Sequence, residues 1–560
     1  MNPDPLPPMR SLVTAPPRLP GPTAPVLLCL ALAACSAGPA VAPPAASADP
    51  PAAAAAPDRA FPYLEWTVAE LQEAMETGRA TSRAITEAYL ARIEALDGAG
   101  PELRAMLDLN PDALAIADSL DAERRAGRVR GPLHGIPVVL KDNVDTADRM
   151  TTTAGSLALE GSIAPEDAFI AARLREAGAV ILGKANLSGW ANFRSTASSS
   201  GWSGRGGQVR NPYALDRSPC GSSSGSAVAV SANLAPLAVG TETDGSVVCP
   251  SGANGIVGIK PTIGLVSRSG IIPIAHSQDI AGPMARTVAG AAALLGAMVG
   301  EDPRDPTTAG NRAPDEYVSS LRPDALRGAR IGVIREGMTG YHAGTDSLFD
   351  RALADLAGAG AAVIDSLELP HYGEYDGAEW QILLYEFKHD LNAYLAGLRD
   401  DVPVRSLADV IAFNRRERDR SMPYVQQEFL ELAQEKGGLD EPEYLEALET
   451  AKLAGLGIDS IMRLHRLDAL VAPTGSPAWA IDLVVGDHFL GASSQPAAVA
   501  GYPNITVPMG FVHGLPVGIS FFGEAWSEPT LIGLAYAYEQ ATGHRQPPEL
   551  PATVTPFAPR

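Results

Sequence analysis

Two clusters of small residues constrain this chain more than any other feature: PCGSSSGS at 219–226 and GTETDGS at 240–246. Small side chains at this density let a backbone turn sharply and approach a ligand closely. Consecutive N–H groups in such turns also converge into an anion-binding concavity. One Gly/Ser cluster alone reads as a flexible loop. Here the two flank an apolar segment, Ala227 to Leu237, which reads as a helix, and a further Gly-rich apolar run, Gly252–Leu265, follows. A linker has no reason to alternate with buried segments in this way, so the chain must pack around both loops.

The elements on either side point to an α/β architecture. Thr67-Val68-Ala69-Glu70 is a capping box that predicts an amphipathic helix after it. Ile85, Ala88, Tyr89, Ile93 and Leu96 recur at helical spacing and predict a helix over roughly 82–96. Gly135–Leu140 (GIPVVL) is a short apolar run that reads as a buried strand delivering Lys141 at its end. Ala179–Leu182 is a second such strand, preceded by the helix-like AFIAARLREAG. Helices alternating with short β-rich runs imply an α/β architecture with helices packed on a central sheet. Residues 300–460 are more charged and helical, with Ser406-Leu407-Ala408-Asp409 as a capping signal, and predict a helical insertion or lobe on that sheet. Val499–Phe522 returns to buried-strand composition, and 529–541 reads as a closing helix. The folded domain is expected over 61–548, with a short tail at 549–560.

Residues 26–34 (VLLCLALAA) form an apolar run behind Arg10 and Arg18, the pattern of a secretory signal over 1–34. The run is too short to span a bilayer, which takes about 20 residues. It ends Leu32-Ala33-Ala34-Cys35, which resembles a bacterial lipobox. That resemblance implies acyl chains on Cys35, holding an exported protein at a membrane without a spanning helix. The leader has a more ordinary length if translation starts at Met9 instead of Met1. Residues 35–60, rich in Ala and Pro, cannot build a packed core and read as a tether. The net charge of −22 repels phosphate backbones, so nucleic acid is not an expected partner.

With both serine loops in view, the chain resembles the amidase signature family from Thr67 through Ala541. The hallmark is a Gly/Ser-rich core with a lysine upstream on a strand end. The resemblance implies that family's mixed-sheet fold, no cofactor, and a Ser-cisSer-Lys triad. Ser246 falls on the nucleophile, Ser222 on the bridging serine, and Lys141, in Val-Val-Leu-Lys-Asp-Asn, on the lysine. Cys220, Ser224 and Asp244 stand where glycine is commoner, and Glu242 where aspartate is. These departures resemble the bacterial peptide amidase branch, as do Trp190-Ala191-Asn192-Phe193 and Tyr385-Glu386-Phe387-Lys388-His389-Asp390. None removes a catalytic group.

The chemistry is coherent from the residues themselves. A serine hydroxyl needs an adjacent base to act as a nucleophile. Lysine serves as that base only when neutral, and burial at a strand end lowers its pKa by penalising the charged form. Ser222 can relay a proton because a hydroxyl both donates and accepts. Backbone N–H groups of Thr243, Asp244, Gly245 and Ser246 are candidates for the oxyanion hole. Ser223 is expected to support the loop by hydrogen bonding. Read by position alone, Lys141 is a solvated or ion-paired neighbour of Asp142; the two serine loops favour catalysis instead.

Two decoys fail on context. Gly221-Ser222-Ser223-Ser224-Gly225 matches a nucleophile elbow that would make Ser223 the nucleophile, but the Pro-containing residues 211–219 supply no leading strand. Gly178–Ala185 approaches a phosphate-binding loop, yet Ala185 lacks the hydroxyl for Mg²⁺ and the interior reads as a strand. The nine histidines show no metal-ligand spacing, so no metal site is expected. Of the four cysteines (Cys29, Cys35, Cys220 and Cys249), the last two flank the serine loops. Free buried thiols are the expectation for that pair, with a disulfide as the alternative. The expected function is hydrolysis of a carboxamide C–N bond in a small molecule or short peptide, including peptide C-terminal amides. The alternatives are an aryl-acylamide, fatty-amide or ester hydrolase with the same triad, or a non-catalytic binding lipoprotein on the same fold.

Overall fold

Thr67 caps the first helix as its sequence predicts. Its hydroxyl accepts from Glu70 N at 3.2 Å, while the Glu70 carboxylate accepts from Thr67 N at 2.7 Å. Helix α1 (Val68–Glu76) follows, then α2 (Ser82–Ile93), whose Ile85, Tyr89 and Ile93 are buried. The computed structural model describes residues 61–314 and 316–554, within a unit running Pro57–Arg560. The expected signal segment, Cys35, the tether over 35–60 and residues 555–560 lie outside the described residues. Among those described, no helix is long and apolar enough to cross a membrane.

Eleven strands build one mixed sheet. In chain order they are β1 (Met106–Leu109), β2 (Pro137–Lys141), β3 (Val180–Ala185), β4 (Leu237–Glu242), β5 (Val257–Lys260), β6 (Ile280–Ala285), β7 (Arg330–Ile334), β8 (Ala362–Leu367), β9 (Ala469–Pro473), β10 (Asn504–Val512) and β11 (Leu515–Phe522). Their spatial order is β1-β3-β2-β4-β6-β5-β10-β11-β9-β7-β8. β2 pairs in parallel with β3 and β4, and β7 pairs in parallel with β8 and β9. The other pairings are antiparallel. β2, β3 and β4 are buried along their whole length, which is why they read as continuous apolar runs without alternation. Register aligns Leu140 of β2 with Val239 of β4. Lys141 and Thr241 therefore lie together at the C-terminal ends of these two adjacent interior strands.

Two boundaries differ from the sequence reading. The apolar segment expected as one helix from Ala227 to Leu237 is helix α3 (Ser224–Ser231), a turn with Asn233 in the left-handed region, and the start of β4 at Leu237. A buried helix and a buried strand in succession show no break in hydropathy, so periodicity cannot separate them. The stretch 300–460 is not wholly a helical lobe, because β7 and β8 within it complete one edge of the main sheet. The helical part comprises α4 (Asp376–Ala396), two helices at Leu407–Arg416 and Glu428–Glu435, and α5 (Pro442–His465). Leu384, Phe387, Leu391 and Leu430 of this part form a core with Leu187, Trp190 and Phe193 beside the serine loops. The chain closes with α6 (Glu528–Thr542), one residue longer at each end than predicted.

Candidate active site

Three buried segments converge at the C-terminal ends of the interior strands β2 and β4: the end of β2, the loop before α3 and the loop after β4. Lys141 Nζ donates to Ser222 Oγ at 2.8 Å, to Thr241 Oγ1 at 2.9 Å and to Thr241 O at 3.1 Å. Its ammonium is fully enclosed. Burial pushes its pKa down from 10.5 to about 7, against the charges of Asp279 and Glu242, which raise it. The solvated-lysine reading is thereby excluded. Asp142 is taken elsewhere, by the Thr153 hydroxyl and the N–H groups of Thr153 and Ala154 on its backbone carbonyl.

Each hydroxyl of the first serine cluster has its own partner. Ser223 Oγ donates to Thr241 O at 3.0 Å and accepts from Thr241 N at 3.1 Å. Ser224 Oγ donates to Cys220 O and Ser226 Oγ to Val239 O. The Gly221–Ser222 peptide is cis. Glycine at 225 is required by contact: a Cβ there would lie 2.3 Å from Ala105 O and 2.4 Å from Asn186 O. No strand leads into Ser223, so the elbow reading has no scaffold. Lys184 of the phosphate-loop decoy lies on β3 with its Nζ spent on Val144 O, Thr151 O and Thr152 Oγ1.

The second cluster forms a turn in which Gly245 is left-handed (φ +73°), a conformation that favours glycine. Ser246, 8 % exposed, follows it and accepts from Ser223 N through its backbone carbonyl at 3.2 Å. The structure thus joins Lys141 to Ser222 and places Ser246 on the adjoining strand of backbone. Among the described residues, no hydrogen bond joins the Ser222 and Ser246 hydroxyls. The N–H groups of Thr243, Asp244 and Ser246 find no acceptor among the described residues. Gly245 N–H faces the Glu242 carboxylate, which also accepts from Val247 N at 2.7 Å and Val248 N at 3.0 Å.

Several groups at the site carry no signal in the sequence. Asn143 Nδ2 donates to Thr241 Oγ1 at 3.0 Å. Asp279, arriving from the segment before β6, accepts from Thr243 Oγ1 at 2.5 Å and from Ile274 N and Ala275 N. Burial pushes its carboxyl up to about 6. Burial and the nearby Glu379 carboxylate raise Asp244 well above the carboxylate range. Glu379 accepts from Gln278 and Gln495, both at 2.9 Å. Two cavities flank the loops. One of about 390 Å³ is lined by Gly221, Asp244, Gly245, Trp479 and Phe489. The other, about 370 Å³, is lined by Asn143, Thr241, Thr243, Asp279, His276 and Asp390.

Cys220 and Cys249 form a disulfide with a Cα–Cα distance of 6.1 Å, which overturns the expectation of free thiols. The two serine loops meet in space, so residues 29 apart in the chain become neighbours; spacing alone cannot reveal that. By the loop-closure relation, a bridge over a loop of this length stabilises by roughly 3–4 kcal/mol. A Cys220→Ser/Cys249→Ser variant should therefore lose about that much in urea unfolding. An unchanged urea midpoint would remove the bridge from the account of what holds the two loops.

Similarity to known proteins agrees with this geometry. The Amidase family model matches residues 84–532. A probable amidase of Arabidopsis thaliana is 43% identical over 501 residues, covering 87% of this chain and 92% of its own. A glutamyl-tRNA(Gln) amidotransferase subunit of Halorhodospira halophila is 38% identical over 494 residues, covering 86% of this chain and 99% of its own. The crystal structure of native peptide amidase from Stenotrophomonas maltophilia superimposes with a TM-score of 0.84 at 55% identity, covering 88% of this chain and 99% of that one. A family match spanning both serine loops, the lysine strand and the closing hairpin leaves one assignment: the chain belongs to the amidase signature family of amide-hydrolysing enzymes.

Proposed function

We propose that this enzyme hydrolyses carboxamide C–N bonds, including peptide C-terminal amides, through Lys141, Ser222 and Ser246. The observation that carries the reading is the buried Lys141 ammonium donating to Ser222 Oγ at 2.8 Å, with a pKa lowered to about 7. Neutral Lys141 takes the Ser222 proton as Ser222 takes that of Ser246. Ser246 Oγ then attacks the amide carbon. The unspent N–H groups of Thr243, Asp244 and Ser246 receive the oxyanion, with Gly245 holding the turn open. The proton returns to the departing amine or ammonia, and water cleaves the acyl-enzyme. In the free enzyme the Ser222–Ser246 link is open; such contacts tighten when substrate binds.

Similarity to peptide amidase at 55% identity supports the peptide-amide class over that of the amidotransferase relative, which is 38% identical. The apolar wall of Trp479 and Phe489 beside Gly221 and Gly245 suits an acyl-side side chain. The disulfide supports export to an oxidising compartment, the setting that a lipidated Cys35 would give it. The deciding assay is ammonia release from blocked dipeptide amides, run beside aryl amides, fatty amides and esters. Turnover of the dipeptide amides with kcat/KM at least tenfold above the rest is the expected result. Preference for aryl or fatty amides or esters would keep the triad and replace the substrate class. No turnover of any of them would favour a binding protein on this fold.

A further inference from the structure

Helix α4 turns a row of polar side chains toward the segment 274–279, and one group of them has no part in the amidase scheme. His276 Nδ1 lies 2.8 Å from Asp390 Oδ2, and His389 Nδ1 lies 2.8 Å from Asp390 Oδ1. The three ligand-type atoms are all within 4.8 Å of one another. A second observation orients the ring. His276 Nε2 faces Glu386 Oε1 at 3.3 Å, and Glu386 is fully buried. Glu386 is itself held by Ser277 N and Oγ at 2.9 Å and by Tyr444 OH at 2.7 Å. A hydrogen on Nε2 satisfies that carboxylate, so that once Nδ1 gives up its proton its lone pair points toward Asp390 and His389. A carboxylate behind a histidine, orienting its free nitrogen, is the outer-shell arrangement of metal sites.

We propose that His276 Nδ1, His389 Nδ1 and an Asp390 carboxylate oxygen bind one divalent transition-metal ion, with Zn²⁺ matching this nitrogen–oxygen set. Without metal, a proton fills each imidazole–carboxylate gap; the cation displaces those protons and draws the same three groups together. The side chains of His276 and His389 are 43% and 58% exposed, which leaves a path for the ion and room for water as a fourth ligand. The sequence shows no metal spacing because the ligands come from residue 276 and residues 389–390, brought together only by packing.

The consequence is mechanical. His276 belongs to the segment that carries Gln278 and Asp279, which meet the Thr243 loop. A bound ion would bolt that segment to α4. It supplies no electrophile to the reaction.

The test uses the tag-free full-length chain, stripped with a chelator and titrated with Zn²⁺ by calorimetry and with Co²⁺ by visible absorption. It reads binding without substrate, so it stands apart from the amidase scheme. The expected result is one Zn²⁺ per chain and a tetrahedral-type Co²⁺ band. Both should weaken at least tenfold in His389→Ala and in Glu386→Gln. His371→Ala, at another exposed histidine beside a carboxylate, should bind as wild type does. His389 is a surface residue, and an unchanged circular dichroism spectrum will show that its variant is folded. Absence of stoichiometric uptake by the wild type, or equal affinity in His389→Ala, would overturn the site.

Discussion

Ser246→Ala should reduce ammonia release by a factor on the order of 10⁴ to 10⁶, while Ser223→Ala stays within about tenfold of wild type. The two serines differ in what their hydroxyls touch. Ser223 Oγ is committed on both sides to Thr241, donating to its carbonyl and accepting from its N–H. Its loss costs a hydrogen-bond pair, about 1–2 kcal/mol of loop stability. Ser246 follows the Gly245 turn beside unspent N–H groups, where an attacked carbonyl would find both nucleophile and oxyanion donors. Removing its hydroxyl leaves binding intact and deletes the covalent step. The loss should fall on kcat, with KM little changed. The reverse pattern, with Ser223→Ala dead and Ser246→Ala active, would restore the nucleophile-elbow reading and dismantle the lysine scheme.

The contrast between those serines shows what was legible beforehand. Ser222, Ser246 and Lys141, the residues proposed for catalysis, stand out in the two small-residue clusters and the apolar strand ending in lysine, because each belongs to a local pattern. Gly225 and Gly245 belong to the same patterns, and the structure explains both, by a close approach to Ala105 and Asn186 and by a left-handed turn. Asp279, Gln278 and Glu379 could not be located. They reach the site from a loop before β6 and from the helical lobe, and isolated polar residues in such segments look like any solvated ones. The Cys220–Cys249 bridge failed for the same reason, since proximity is a tertiary fact. The strands β7 and β8 do not stand out from the helical stretch around them because they are short and flanked by charge, and β8 is only partly buried. Local chemistry was readable; the contacts that tune it were not.

Lys141→Met should lower kcat by about 10³ to 10⁴ and remove the acid limb of the pH–rate profile. In the wild type, kcat/KM should rise through an apparent pKa of about 7 as Lys141 becomes neutral and able to accept a proton. Asp279, at about 6, is the nearest competitor for that limb. It would persist in Lys141→Met, so the variant identifies the titrating group. Stability supplies a second readout. The folded pKa lies below the unfolded value of 10.5, so between about 7 and 10.5 the unfolded chain binds the extra proton and wild-type stability rises with pH. Below 7 the buried ammonium costs the fold about 5 kcal/mol. Methionine removes that cost but leaves Ser222 Oγ, Thr241 Oγ1 and Thr241 O each short of a donor, about 1 kcal/mol apiece. The variant should therefore be more stable than wild type by about 2 kcal/mol at pH 6, with the difference gone near pH 8 and reversed to about 2 kcal/mol the other way by pH 10. A variant less stable than wild type at pH 6 would mean that Lys141 is there to hold the fold. A more stable and inactive one would mean that the fold tolerates a costly buried base because the reaction needs it.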